Sequence, residues 1–402
     1  MNRSYFRLVD RPGALPALDG LRGIAILLVV LYHAAESFRP PAGGMLAAGG
    51  IDFATPLYSG WMGVNLFFVL SGFLITWHLL RRWTPEAGGP EIGVYLTKRW
   101  LRIVPTYYVV LLIVAFGLVP HYPLEPGKMG LRIGYHLLFL QDYLPSSILA
   151  PFWSLGVEEK FYLAMPVVLL LAWRIRNLRH RLLLLAAIAA VPLVVRIGMW
   201  AADIGNGTAV YNRVWRNPFH LNLDALLLGA MAAWVVVHHA EFPRLTAAAR
   251  TLVRGGAAMV VVLMVAAVLL ERNEFFHQVL VMPLAAISMA TLLLGTVLLP
   301  AGAAPRLEGR WLARAGKLAY PWYLTHLLMM WWVWGELTAA FPRIGTFTPG
   351  AQFAIFFPLY FAASVLAALV LHFAVEKPCL LLKDRTGARR AASPLPLTPS
   401  RA

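Results

Sequence analysis

Long apolar stretches recur along the chain, at residues 18–38, 61–80, 103–119, 154–173, 181–200, 217–238, 255–271, 275–299, 317–338 and 350–374. A helix needs roughly 20 mostly apolar residues to cross a bilayer. The pattern therefore predicts ten transmembrane helices. A shorter amphiphilic run, LRIGYHLLFLQD at 131–142, is too short to cross and is expected as a re-entrant or interfacial helix. Breakers fill the connections: RPPAGG after the first stretch, TPEAGGP after the second, YPLEPGKMG after the third. No repeat of solenoid period is visible. The expected fold class is all-α, a polytopic membrane helix bundle over residues 1–378. Past Pro378 the chain turns basic and then Pro/Ser-rich, so 379–402 is expected as a disordered cytoplasmic tail.

Composition sharpens this picture. Hydrophobic residues make up 59% of the 402 and charged residues 13%. Soluble domains are nearer half apolar and about a quarter charged. A disordered chain, a collagen and an ordinary water-soluble enzyme are excluded. The net charge of +16 would suggest nucleic acid in a soluble protein. Here its placement explains it without a nucleic-acid partner. With the N-terminus in the cytoplasm, inward-facing segments hold 26 Lys and Arg and outward-facing ones 8. That asymmetry predicts an inner (cytoplasmic) membrane protein with both termini inside. It holds only if 131–142 does not cross. The first stretch is longer than a signal-peptide core and carries Asp19, Arg22 and His33, so it is expected as a retained span. The single cysteine, Cys379, excludes an intrachain disulfide, a cysteine zinc site and a CxxC redox pair.

Ionisable groups inside a bilayer cost several kcal/mol unless paired or solvated, which makes each a functional candidate. Arg22 and His33 are eleven residues apart, so they share one face of the first helix, about 16 Å apart along its axis. Asp19 falls on the same face. A buried Asp–Arg pair plus a satisfied histidine is the plain alternative. In the second stretch, Ser71 and Gly72 permit close helix approach. A serine nucleophile would lack the GxSxG context. Arg99 and Arg102 are i,i+3 neighbours on an amphipathic helix start. Such a pair suits the phosphates of a nucleotide or CoA, or a lipid-headgroup anchor. Glu158 and Glu159 open the fourth span, in FWSLGVEEKFYL. By depth, Glu158 shares the outer half of the membrane with His33, and a histidine with a carboxylate in reach is a general-base arrangement. Helix-dipole stabilisation is the competing role. Asp224 and His326 are further buried candidates, equally readable as structural polar groups. Glu376 is expected to cap or dock the last span. Nothing in the sequence indicates a metal site.

Taken together these segments resemble the acyltransferase-3 family of integral membrane O-acyltransferases. LDGLRGIAILLVVLYH is similar to its Arg-x10-His first helix and GVNLFFVLSGFLIT to its second. KRWLR is similar to its RxxR, and WSLGVEEKFYL to its WSLxVExQFY, with Glu158 as the family glutamate. LAYPWYLTH resembles SYxxYLxH, and VEKP the family's exit motif. The departures are Lys160 for Gln, Ala319 for Ser and Thr325 for the common Trp. With no SGNH-like domain after the last span, the chain resembles the stand-alone members.

The resemblance implies transfer of an acyl group, usually acetyl from acetyl-CoA, to a hydroxyl of a glycan, lipid-linked sugar or glycosylated small molecule. The partners expected are acyl-CoA as co-substrate, that acceptor and membrane lipids, with no bound cofactor. CoA phosphates would meet Arg99, Arg102 and Arg22. His33, oriented by Glu158, would deprotonate the acceptor or carry the acyl group itself. Asp19, Ser71, Asp224 and His326 would give support. A transporter exporting an acylated sugar or acyl group is the main competitor, although no inverted repeat is visible. A membrane sensor or interaction protein would leave the buried charges unexplained.

Overall fold

Each of the ten apolar stretches holds a helix in the computed structural model, which describes residues 16–40, 44–48, 51–82, 92–125, 127–146, 148–204 and 212–388. The helices are α1 Pro16–Glu36, α2 Gly63–Arg82, α3 Ile92–Ala115, α4 Met129–Leu137, α5 Phe152–Trp173 and α6 Leu178–Ala201. They continue as α7 Leu223–Val237, α8 Ala249–Leu269, α9 Val281–Leu298, α10 Arg310–Ala340, α11 Pro349–Leu371 and α12 Lys377–Ala388. Six helical segments among the described residues are long and apolar enough to cross a membrane. The protein is an all-α, multi-pass membrane bundle. The remaining helices are shorter, as α7, or carry charged and aromatic residues, as α3, α5 and α10. The only ladder among the described residues is a two-residue antiparallel pairing of Ala47–Ala48 with Ile51–Asp52.

Three boundaries differ from the sequence expectation. The run 131–142 yields only the short helix α4. The stretch 217–238 is helical only from Leu223, because Pro218 and a 3-10 turn at Phe219–Leu221 precede it. Asn222 fixes that turn, its Nδ2 donating to the carbonyls of Arg216 (2.8 Å) and Pro218 (2.9 Å). At the other end, α12 makes residues 379–388 helical, where the expected disordered tail was to begin. The apolar run CLLL continues the helix past Pro378, and this helix follows directly on a π-turn at His372–Glu376. The rest of that tail, 389–402, lies outside the described residues, as do residues 1–15 with the basic residues counted there.

Bare glycine faces set the packing. The apolar window of α2 is 72% buried and that of α6 only 17%, so α2 lies at the centre and α6 at the rim. A Cβ on Gly72 would stand 1.9 Å from the Leu226 carbonyl oxygen, and one on Gly229 2.1 Å from that of Val69. Helices α2 and α7 therefore meet backbone to backbone, as small residues allow between membrane helices. The pair α1 and α10 does the same, where a Cβ on Gly316 would stand 1.8 Å from the Asp19 oxygen. Because α10 is pinned along α1 in this way, side chains on the two facing stripes must meet.

Gly72→Val should therefore leave little monodisperse protein in detergent, since overpacking a rigid contact costs about 1–3 kcal/mol or more. Gly198→Val, in open space on α6, should purify normally. Equal yields and equal melting temperatures would contradict the close crossing.

Candidate active site

The facing stripes of α1 and α10 bring His33 and His326 together. His33 Nδ1 lies 3.3 Å from His326 Nε2, and the ring centroids are 5.0 Å apart. His326 is fully buried and His33 half-buried. Two backbone carbonyls assign the tautomers. His326 Nδ1 lies 2.7 Å from the Tyr323 oxygen, so it carries the proton and donates. His326 Nε2 is then a bare acceptor. His33 Nδ1, 2.9 Å from the Val29 oxygen, likewise carries its proton and shares it with His326 Nε2. What remains is His33 Nε2, an unprotonated nitrogen with no hydrogen bond among the described residues. That is the atom a general base or nucleophile needs.

Glu158 is elsewhere, and the expected His33–Glu158 pairing is corrected here. Its carboxylate accepts from Ser71 Oγ (2.8 Å) and Tyr162 Oη (2.7 Å). No hydrogen bond joins it to His33. Depth along a helix says nothing of azimuth, and α5 packs on α2 and α3. That side brings Glu158 within electrostatic reach of Arg102 and Arg99. The Arg99 guanidinium lies over the Tyr162 ring at 5.3 Å and that of Tyr95 at 5.9 Å. So the two arginines, Glu158 and Ser71 form one cluster and His33 with His326 another, joined by Tyr323, which lies beside His326 and within electrostatic reach of Glu158. Ser71 is a hydrogen-bond donor to that glutamate, and the packing role falls to Gly72.

The other candidates sort accordingly. Arg22 donates to Asp19 at 2.7 Å, both side chains largely covered (20% and 14% exposed). The pair occupies the end of α1 opposite Glu36. Asp224 is buried, with Oδ1 on the Ala225 N–H (2.7 Å) and Arg196 as its electrostatic neighbour. Glu376 is joined to His372 at 2.6 Å, both nearly buried, in a π-turn that leads into α12. Lys160 turns away from Glu158 to Asp142 (2.6 Å) and the Gly156 carbonyl (3.3 Å). In the α4–α5 connection, burial pushes the Asp142 carboxyl up, against the opposing pull of the Lys160 ammonium. The charge that departs from the family pattern is thus neutralised locally.

Three groups at the histidine pair were not singled out from the sequence. Tyr323 sits 5.7 Å from His326, centroid to centroid, and bonds Ser154 Oγ (2.8 Å) and the Pro151 carbonyl (3.1 Å). Its place in LAYPWYLTH was the available signal. Tyr32 lies edge-on to His33 at 4.8 Å. Arg216, in the connection before α7, lies within electrostatic reach of both. In sequence it was one more loop arginine.

Over residues 15–373 the chain matches the profile of the acyltransferase-3 family, described as an acyltransferase domain. It is 28% identical over 169 residues to peptidoglycan O-acetyltransferase OatA of Listeria monocytogenes, covering 39% of this chain and 24% of that protein. It is 26% identical over 230 residues to a Bacillus subtilis protein named "Putative peptidoglycan O-acetyltransferase YrhL", covering 53% of this chain and 33% of that one. The matched stretches thus span about a quarter to a third of these relatives' length. No solved structure matches the chain.

Proposed function

The chain belongs to the acyltransferase-3 family, and on that footing we propose that it is an integral membrane O-acyltransferase. It moves an acetyl group from acetyl-CoA to a hydroxyl of a carbohydrate or glycosylated acceptor. The observation that carries this reading is the bare Nε2 of His33, held in one tautomer by Val29 and His326. The names of the two relatives favour an acetyl donor and a glycan acceptor.

CoA phosphates bind at Arg99 and Arg102, with Arg22 beside the thioester's path. Arginine forks suit phosphate oxygens. The pantetheine arm runs along α1 toward His33, about 16 Å from Arg22. His33 Nε2 removes the acceptor proton as the oxygen attacks the thioester carbon. The resulting imidazolium is stabilised where it forms, by the Val29 carbonyl and the lone pair of His326 Nε2. The tetrahedral intermediate collapses, the C–S bond breaks, and His33 returns the proton to the departing thiolate. Glu158, bonded to Ser71 and Tyr162, puts a carboxylate within electrostatic reach of Arg102 and Arg99 and plays no part at the reacting atoms.

The arginine end of α1 is the cytoplasmic face, as the loop charges suggest. Cysteines introduced at Asp203 and Arg310, with Cys379 replaced by Ser, test this. An impermeant maleimide should label position 203 in intact cells and position 310 only after permeabilisation. Equal or reversed labelling would overturn the orientation. For the function itself, mass spectrometry should find an acetyl adduct on a glycan or glycolipid only in cells that carry the gene. Unchanged acetylation in every glycan and lipid fraction would overturn the reading.

A further inference from the structure

A cavity of about 240 Å³ opens at the Glu36 end of α1, and the chemistry above makes no use of it. Tyr32, Glu36, Arg39, Trp61, Arg216 and Glu271 contribute to its wall. Its wall adjoins the histidine pair through Tyr32. Tyr32 touches His33 ring to ring. Glu36 follows one turn on from His33 on the same face. The Arg216 guanidinium reaches electrostatically to Tyr32, His33 and Tyr323.

The wall is built rather than incidental. Arg216 lies over the Trp61 ring at 4.7 Å and over Trp153 at 5.8 Å. Its Nε is buried without a hydrogen-bond partner among the described residues. The segment that carries it is clamped by buried Arg196, which donates to the carbonyls of Trp215 (2.7 Å) and Leu221 (3.2 Å). Asn222 ties the Arg216 carbonyl itself. Across the cavity Arg39 pairs with Glu271.

Aromatic rings beside alternating arginines and carboxylates match one ligand chemistry well. A sugar ring offers an apolar C–H face to stack and an edge of hydroxyls that both donate and accept. An acyl chain would bury against four charges. A phosphate would meet Glu36 and Glu271. The volume falls below the ~300–1,000 Å³ of drug-sized sites, which fits one ring and not an oligosaccharide.

We propose that this cavity is the acceptor subsite and binds one sugar ring of a glycan against Tyr32 and Trp61, with a hydroxyl turned to His33. The proposal rests on the acyltransferase reading. It adds that donor and acceptor approach His33 from opposite ends of α1, because Arg22 lies at the other end.

Purified full-length protein in detergent, given radiolabelled acetyl-CoA and solubilised envelope glycan from cells lacking the gene, tests it. Trp61→Ala should raise the half-saturating glycan concentration about tenfold, the size of one lost aromatic contact. Its half-saturating acetyl-CoA concentration should not move. Trp61→Phe should restore most of the glycan affinity. Glu36→Gln changes an exposed side chain (41%) that pairs with Arg39 at 3.9 Å, and should also weaken glycan and not donor. Folded Trp61→Ala and Glu36→Gln proteins with wild-type glycan saturation would overturn the subsite. Wild-type protein that transfers no acetyl to glycan would instead overturn the acyltransferase reading beneath it.

Discussion

Replacing His33 by Ala should lower kcat by about 10²–10⁴-fold, the usual contribution of general-base catalysis, while the protein folds and binds donor as before. His33→Gln should be nearly as poor, since an amide can hydrogen-bond but cannot take the proton. His326 acts through His33, so its variants should separate differently. His326→Gln keeps an acceptor for the His33 Nδ1 proton and should retain more activity than His326→Ala. The alanine removes a hydrogen bond to a group that becomes charged, worth roughly 1.5–3 kcal/mol, or about ten- to a hundredfold. The measurement is turnover normalised to folded protein. A His33→Ala enzyme at wild-type turnover would show that the pair is only a packing device between α1 and α10.

Alanine at Arg99 or Arg102 should raise the apparent KM for acetyl-CoA about ten- to a hundredfold, the cost of a charge-assisted contact, with little change in the glycan response. Lysine should rescue only partly, because a point charge does not reproduce the fork. Glu158→Gln should resemble the arginine variants and not His33→Ala, since the carboxylate lies within electrostatic reach of Arg102 and Arg99 and has no bond to His33. A Glu158→Gln protein with normal donor KM and a collapsed kcat would return the glutamate to the histidine. An unchanged KM in both arginine variants would make them lipid-headgroup anchors.

The helices were legible because apolar runs of membrane length have few other uses, and because glycines such as Gly72 mark close crossings. The positions of His33, Arg22 and Asp19 on one stripe followed from helical periodicity, and Asp19 and Arg22 do pair. What the periodicity could not provide was the angle at which each helix faces its neighbours. Glu158 was assigned to His33 by depth, yet α5 presents it to α2 and α3. His326 looked like one polar residue in an apolar span, because its partner lies 293 positions away. Arg216 was hidden for a different reason. It lies in a connection whose shape depends on Arg196 and Asn222, and nothing local marks that loop as folded onto Trp61.

Release of free CoA thiol from acetyl-CoA by the purified protein in detergent, with glycan present, tests the central claim most directly. The account predicts thiol release matched mole for mole by acetyl on the glycan, and nearly abolished in folded His33→Ala protein. Thiol no higher than in the detergent blank would contradict it and leave the transporter.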